Sequence, residues 1–184
     1  VRCWKIFIWI IIMKFKGYLI RESEGNFNGS IEDIDIPKLE QGRVLIKVHY
    51  SSLNYKDALA ASGAKGVASS YPFVPGIDVA GEIIESSTPD FSVGDNVIAT
   101  GYKIGMSEFG GFGGIVHLPS NWVVKMPSNL DYIKCMSYGT AGITAAACIK
   151  KIVDAGCSNQ LPVLVSGSTG GVCSIWVGIL SKIG

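Results

Sequence analysis

Proline and glycine placement decides what this chain can fold into. Of its seven prolines, Pro37, Pro72, Pro75, Pro89 and Pro119 interrupt the stretch between Met13 and Lys125. A proline inside a helix removes a backbone donor and collides with the preceding turn. Between these breakers, apolar residues alternate with polar ones. Val44, Ile46, Val48 and Tyr50 take one side of a segment whose other side is Leu45, Lys47 and His49, the period of a half-buried strand. The same reading predicts strands at Phe15–Arg21, Ser30–Ile36, Val44–Tyr50, Val79–Glu85, Asn96–Thr100, Gly114–Leu118 and Val123–Met126. Turns fall at Glu24-Gly25-Asn26 and Gln41-Gly42. Many short strands joined by Gly/Pro turns predict a closed or nearly closed β-barrel.

After Pro127 the pattern changes. Leu130–Met136 and Ala141–Ile152 carry good helix formers with apolar residues at helical spacing. Pro162–Ser166 is a continuous apolar run, as in strands buried on both faces of a parallel sheet. Gly167-Ser-Thr-Gly170-Gly171 follows, and Val172–Lys182 reads as a helix. Strand, glycine loop and helix in that order open a nucleotide-binding βαβ unit. The backbone N–H groups at such a helix start must approach a pyrophosphate, and Cβ atoms would hold it away. The other reading of this loop is a tight turn that binds nothing. In a Gly-x-x-Gly-x-x-Gly pattern the third glycine falls at Cys173; that glycine serves close helix–strand packing, so a modest cost and a shifted helix are expected. The side chain that separates NAD from NADP lies roughly 20 residues past the loop, beyond Gly184.

One strand and one helix cannot close a doubly wound domain. The expectation is an N-terminal fragment of a two-domain protein, inactive alone. Residues 13–130 form the barrel, and residues 131–184 the truncated start of a Rossmann NAD(P)-binding domain. Ile6 to Met13 is an unbroken apolar run of eight residues, far short of the roughly 20 that span a bilayer. Residues 1–12 read as a non-native extension ahead of a natural start at Met13. A signal or anchor segment and an extra strand are the alternatives.

Composition removes other classes. Apolar residues are 48% of the chain and charged residues 17%, too apolar for intrinsic disorder. The formal net charge is +1, from 16 basic and 15 acidic residues, which leaves no field to hold a nucleic acid. Cys3, Cys135, Cys148, Cys157 and Cys173 are odd in number and include no Cys-x-x-Cys pair. They read as free thiols in a reducing, cytoplasmic setting. His49 and His117 stand apart in strand-like sequence and read as structural.

Five segments occur in a telling order: Ser51-Ser-Leu-Asn-Tyr-Lys-Asp-Ala-Leu59, Tyr71-Pro-Phe-Val-Pro-Gly-Ile-Asp-Val-Ala-Gly81, Val93-Gly-Asp-Asn-Val97, Gly139-Thr-Ala-Gly-Ile-Thr-Ala145 and Ser166-Gly-Ser-Thr-Gly-Gly-Val172. From Met13 to Gly184 the chain resembles the medium-chain dehydrogenase/reductase superfamily. Within it, the similarity is to the zinc-independent quinone-oxidoreductase-like branch that includes acrylyl-CoA reductases. The resemblance implies a GroES-like barrel followed by a Rossmann domain, with the active site in the cleft between them. It implies hydride transfer from NADPH (NADP as product) to an activated carbon–carbon double bond, in an enoyl thioester or a quinone. It also implies a soluble protein, homodimeric at full length.

Zinc-dependent relatives carry Gly-His-Glu where this chain has Gly76-Ile77-Asp78, and a cysteine ligand near Ser52-Leu53-Asn54. They also have a four-cysteine lobe, and no cysteine lies between Cys3 and Cys135. Zinc needs several N or S ligands, so no metal is expected. The chemistry then rests on cofactor placement and hydrogen bonds to a developing enolate.

By the same resemblance, Tyr55 lies beside the nicotinamide as the catalytic and cofactor-binding candidate, its phenol orienting the ring or stabilising the enolate. A rim tyrosine that fixes a loop is the alternative. Asp57 is expected to cap the short helix that follows, and Asp78 to be a structural carboxylate. Thr144 either touches the cofactor or packs its helix. Thr169, Gly170, Gly171 and Val172 are the candidates for pyrophosphate contact. Gly113-Gly114 departs from the family's Ala-Glu and, with Gly101, Gly105 and Gly110 nearby, suggests a softened loop. A second function class stays open: a non-enzymatic GroES-like domain with a vestigial cofactor-domain tail. Nothing before Gly184 distinguishes a CoA thioester from a quinone.

Overall fold

The computed structural model describes residues 13–157 and 162–183; the expectations for residues 1–12 fall outside them. Two strands, β1 (Lys14–Ser23) and β2 (Asn26–Asp35), form an antiparallel hairpin. Its two-residue turn has φ of 53° at Glu24 and 80° at Gly25, the left-handed pair that matches the twist of a tight hairpin. The other strands are β3 (Arg43–Tyr50), β4 (Asp78–Ser86), β5 (Asn96–Thr100), β6 (Ile115–Pro119) and β7 (Val123–Lys125). They form one antiparallel sheet in the order β6-β3-β4-β5-β7. Helix α1 (Tyr55–Ala61) follows β3. Helices α2 (Tyr132–Asp154) and α3 (Gly171–Ile183) follow β7.

Backbone bonds curl the two sheets together. Ile20 and Phe73 exchange N–H···O bonds of 2.8 and 3.1 Å, Tyr18 donates to Phe112 at 2.9 Å, and Gly114 donates to Lys16 at 2.8 Å. The core inside comes from alternate positions: Val44 and Ile46 of β3, Val79 and Ile83 of β4, Val97 and Ala99 of β5, and Val116 and Leu118 of β6. Each buried Val or Ile contributes about 2 kcal/mol through removal of apolar surface from water. Leu45 is buried as well, out of period, beside a register shift between Leu45 and Ile46 that turns the strand.

The seven expected barrel strands are present with ends shifted by up to a few residues. The two expected helices are present as the two halves of α2, separated at Gly139, whose φ of 48° and ψ of −150° are not helical. The expected strand at Pro162–Ser166 is not present. No described residue pairs with it, and Val163 and Leu164 are exposed. A strand exists only through its neighbours, so an apolar run without a partner strand remains irregular. α3 buries none of its residues fully and packs against α2.

The glycine-rich loop before β6 is not soft. Gly110, Gly111 and Phe112 donate to Val74, Gly76 and Pro75 at 2.7, 2.8 and 3.0 Å. A Cβ on Gly110 would collide with the Gly76 and Pro75 carbonyls, and one on Gly111 with the Asp78 carbonyl and the Ser51 hydroxyl. These glycines let two backbones touch. Gly114 has ordinary space, its nearest neighbour 3.5 Å from an added Cβ.

Candidate functional site

The turn Pro75–Asp78 leads into β4, and two buried carboxylates organise what surrounds it. Asp57, in the first turn of α1, is 1% exposed. Its Oδ2 accepts from the Asn54 N–H at 2.8 Å, and its Oδ1 accepts from Gly76 and Ile77 N–H at 3.1 and 2.9 Å. It therefore caps α1 as expected and also clamps the turn. Burial pushes its pKa up, against the pull of those three backbone donors, and the nearby Asp78 charge pushes the same way.

Asp78 is fully buried and has no cationic partner among the described residues. Its Oδ2 accepts from Asn54 Nδ2 at 2.9 Å, from the Thr140 N–H at 3.0 Å and from the Ser52 hydroxyl. Its Oδ1 accepts from the Thr140 hydroxyl at 2.6 Å. Three of these donors converge on Oδ2 and one on Oδ1, so the carboxylate is held as a hydrogen-bond hub. The structural role expected for Asp78 agrees with this. The bend at Gly139 makes it possible: a Cβ there would lie 2.6 Å from Asp78 Oδ2 and 2.8 Å from Ser52 Oγ. The second half of α2 begins at Thr140, and a negative charge suits that helix start.

Tyr55 is the first residue of α1, directly after Asn54, and is 80% exposed. No hydrogen bond holds its phenol among the described residues, so nothing supports a loop-fixing role. Thr144 is exposed, and its hydroxyl bonds back to the Thr140 carbonyl at 2.8 Å, within its own helix.

The loop from Gly167 to Gly170 is solvent-exposed and leads into α3 at Gly171. Gly167 takes φ of 66° and has open space where a Cβ would stand. Gly170 donates to Gly167 at 2.9 Å, and Ser174 donates to Gly170 at 2.9 Å, which closes the first helical turn. The N–H groups at the start of α3 have no intrahelical acceptor. Thr169, Gly170, Gly171 and Val172 are thus on one short segment; the Gly170 N–H is engaged by Gly167, and the N–H groups of Thr169, Gly171 and Val172 have no acceptor among the described residues, a seat that fits an anionic group. Cys173 is half-buried and does not stop the helix from starting there. Gly171 rests on α2: a Cβ on it would lie 3.8 Å from the Ala141 Cβ.

Among the described residues, no three of His, Cys, Asp and Glu gather where they could hold a metal. His49 stacks on Tyr132 with ring centroids 4.9 Å apart. His117 Nε2 accepts from the Glu40 N–H at 3.4 Å, and burial followed by the Arg43 charge pushes its pKa down. Cys135, Cys148, Cys157 and Cys173 are free thiols.

Sequence reasoning missed Ser52, Gly139 and Thr140. All three lie inside the quoted motifs, but only the folded chain joins Thr140 to a carboxylate 62 residues earlier.

Residues 40–128 match the family model for the alcohol dehydrogenase GroES-like domain. The chain is 40% identical over 167 residues to the probable acrylyl-CoA reductase AcuI of Escherichia coli K12, covering 90% of this chain and 52% of that protein. It is 43% identical over 155 residues to the putative quinone oxidoreductase YhfP of Bacillus subtilis, covering 84% of this chain and 47% of that one. Among solved structures, the yhdH oxidoreductase from Salmonella enterica in complex with NADP superposes with a TM-score of 0.87 at 36% identity, over 92% of this chain and 52% of that chain. The chain spans about half the length of the relatives it matches.

Proposed function

The chain belongs to the medium-chain dehydrogenase/reductase superfamily, and from that premise we propose that it is the barrel and the first cofactor-binding elements of an NADPH-dependent oxidoreductase. Its acceptor is an activated carbon–carbon double bond, in an enoyl thioester such as acrylyl-CoA or in a quinone. The division lies near residue 130, between the last barrel strand and the Asp131 that caps α2 through the Lys134 N–H at 2.7 Å.

One observation carries the reading. The glycine loop opens α3 against Ala141, one residue from the Thr140 that Asp78 holds. Asp78 also holds Asn54, one residue from Tyr55. A seat for an anion and an exposed phenol are therefore tied to the same point of the barrel.

NADPH, when bound, supplies the hydride. The chain's own residues do the rest. The N–H groups of Thr169, Gly171 and Val172 would hold the pyrophosphate, with Gly170 leaving room for its approach while its own N–H bonds Gly167. The Tyr55 phenol donates a hydrogen bond toward the carbonyl oxygen on which negative charge develops. The reaction is zinc-independent in this reading: the Ile77 side chain has no donor atom, the buried Asp78 carboxylate is engaged by Ser52, Asn54 and Thr140, and charge stabilisation falls to hydrogen bonds. A homodimer in the cytoplasm belongs to the same proposal. No helix among the described residues is long and apolar enough to cross a membrane.

The test is titration of the full-length protein with NADPH, followed by fluorescence, then turnover with acrylyl-CoA and with a soluble quinone. Saturable NADPH binding and oxidation with one of the two acceptors are expected. No binding of NADPH would contradict the reading.

A further inference from the structure

We propose that Asp78 is a positioning residue that fixes the separation between Tyr55 and the pyrophosphate loop; the proposal rests on the reductase reading above. Asp78 is the first residue of β4 and is followed by the fully buried Val79, so its backbone is anchored in the barrel core. Two arms diverge from its carboxylate. One runs through Asn54, whose side chain it accepts at 2.9 Å, to the adjacent Tyr55. The other runs through Thr140, bonded by both its N–H and its hydroxyl, to the adjacent Ala141 and from there to Gly171.

Among the described residues the second arm has no other hydrogen bond to replace it. The first half of α2 packs on the barrel through Cys135 and Met136 beside Ala80. Past Gly139, the hydrogen bonds that reach the barrel are those of Thr140, among the described residues. The bend frees the helix from its own axis, and the carboxylate sets the new one. Asp57 stiffens the other arm by holding the Asn54 N–H and the turn before Asp78. Asp78 acts through these bonds and not through the substrate: it is fully buried, with Oδ2 held by Ser52, Asn54 and Thr140 and Oδ1 by Thr140. Hydride transfer is sensitive to placement at the scale of an ångström, and one carboxylate sets that placement.

The test uses the full-length protein with Thr140→Val, which loses the hydroxyl donor, and Thr140→Ser, which keeps it. NADPH dissociation constants from fluorescence and kcat at saturating NADPH are measured well below the melting temperature, where both variants stay folded. Thr140→Val is expected to weaken NADPH binding roughly tenfold and to lower kcat by about tenfold or more. Thr140→Ser is expected to restore both. If Thr140→Val binds and turns over like wild type, or if Thr140→Ser is as impaired as Thr140→Val, the proposal is overturned while the reductase reading stands. A wild-type protein that does not bind NADPH removes both.

Discussion

Gly139 and Asp78 meet at a distance that no other residue at position 139 would permit: a Cβ there would lie 2.6 Å from Asp78 Oδ2. The glycine's φ of 48° is also on the left-handed side, where an L side chain is strained. Gly139→Ala is therefore expected to destabilise the fold by about 2 kcal/mol or more. Chemical denaturation checks this; wild-type stability would mean that the bend is not held by Asp78.

Gly111 and Gly114 separate requirement from tolerance within one loop. Gly111→Ala would drive a methyl group into the Asp78 carbonyl, whereas Gly114→Ala meets nothing nearer than 3.5 Å. Melting temperatures should show a loss of several degrees for Gly111→Ala, and for Gly114→Ala a change near zero. Equal losses would mean that the loop packs differently from the account given above.

Glu32 provides a pH test of the hairpin. Its bonds with Arg21 at 2.8 and 2.9 Å, and then the Ser30 hydroxyl, lower its pKa to about 2. A depressed carboxylate adds stability above its unfolded pKa, and that contribution is lost as pH falls through the folded value. The contribution of this pair should therefore fade between about pH 4.5 and pH 2. Carboxyl NMR titration of Glu32 should give a midpoint near the lower end, and Arg21→Ala should return it toward an ordinary glutamate.

Tyr55 separates chemistry from folding. Its side chain is 80% exposed and holds no described hydrogen bond, so Tyr55→Phe should leave the melting temperature unchanged. Loss of a donor to a developing oxyanion costs on the order of a hundredfold in kcat. Steady-state kinetics of the full-length protein with NADPH check this. Unchanged kcat would return Tyr55 to the barrel rim as a bystander.

The period of the sequence carried the barrel well. Asn96–Thr100 is a strand between the very residues expected, because Val97 and Ala99 alternate inward while proline and glycine mark the turns. Pro162–Ser166 failed for a physical reason: its apolar run signals burial, but burial needs partner strands. Gly113-Gly114 suggested softness, yet the glycines around it are demanded by backbones in contact, and glycine content alone does not tell the two apart. The two carboxylates were legible as structural groups. Their partners were not, since Thr140 reaches Asp78 across 62 residues and only after Gly139 turns the helix. Tyr55, Thr169, Gly170, Gly171 and Val172 were named from motifs.

The most direct measurement follows the hydrogen itself. Full-length protein is supplied with NADPH carrying deuterium at the transferring position of the nicotinamide, together with acrylyl-CoA, and the product mass is read; with a quinone, whose hydroxyl deuterium exchanges with water, loss of deuterium from the nicotinamide is read instead. The account predicts one non-exchanging deuterium on carbon in the reduced thioester or, with the quinone, loss of the label from the oxidised cofactor, and loss of that transfer on Tyr55→Phe in proportion to kcat. Reduced thioester without deuterium, or no reduction of either acceptor, would contradict the hydride-transfer account.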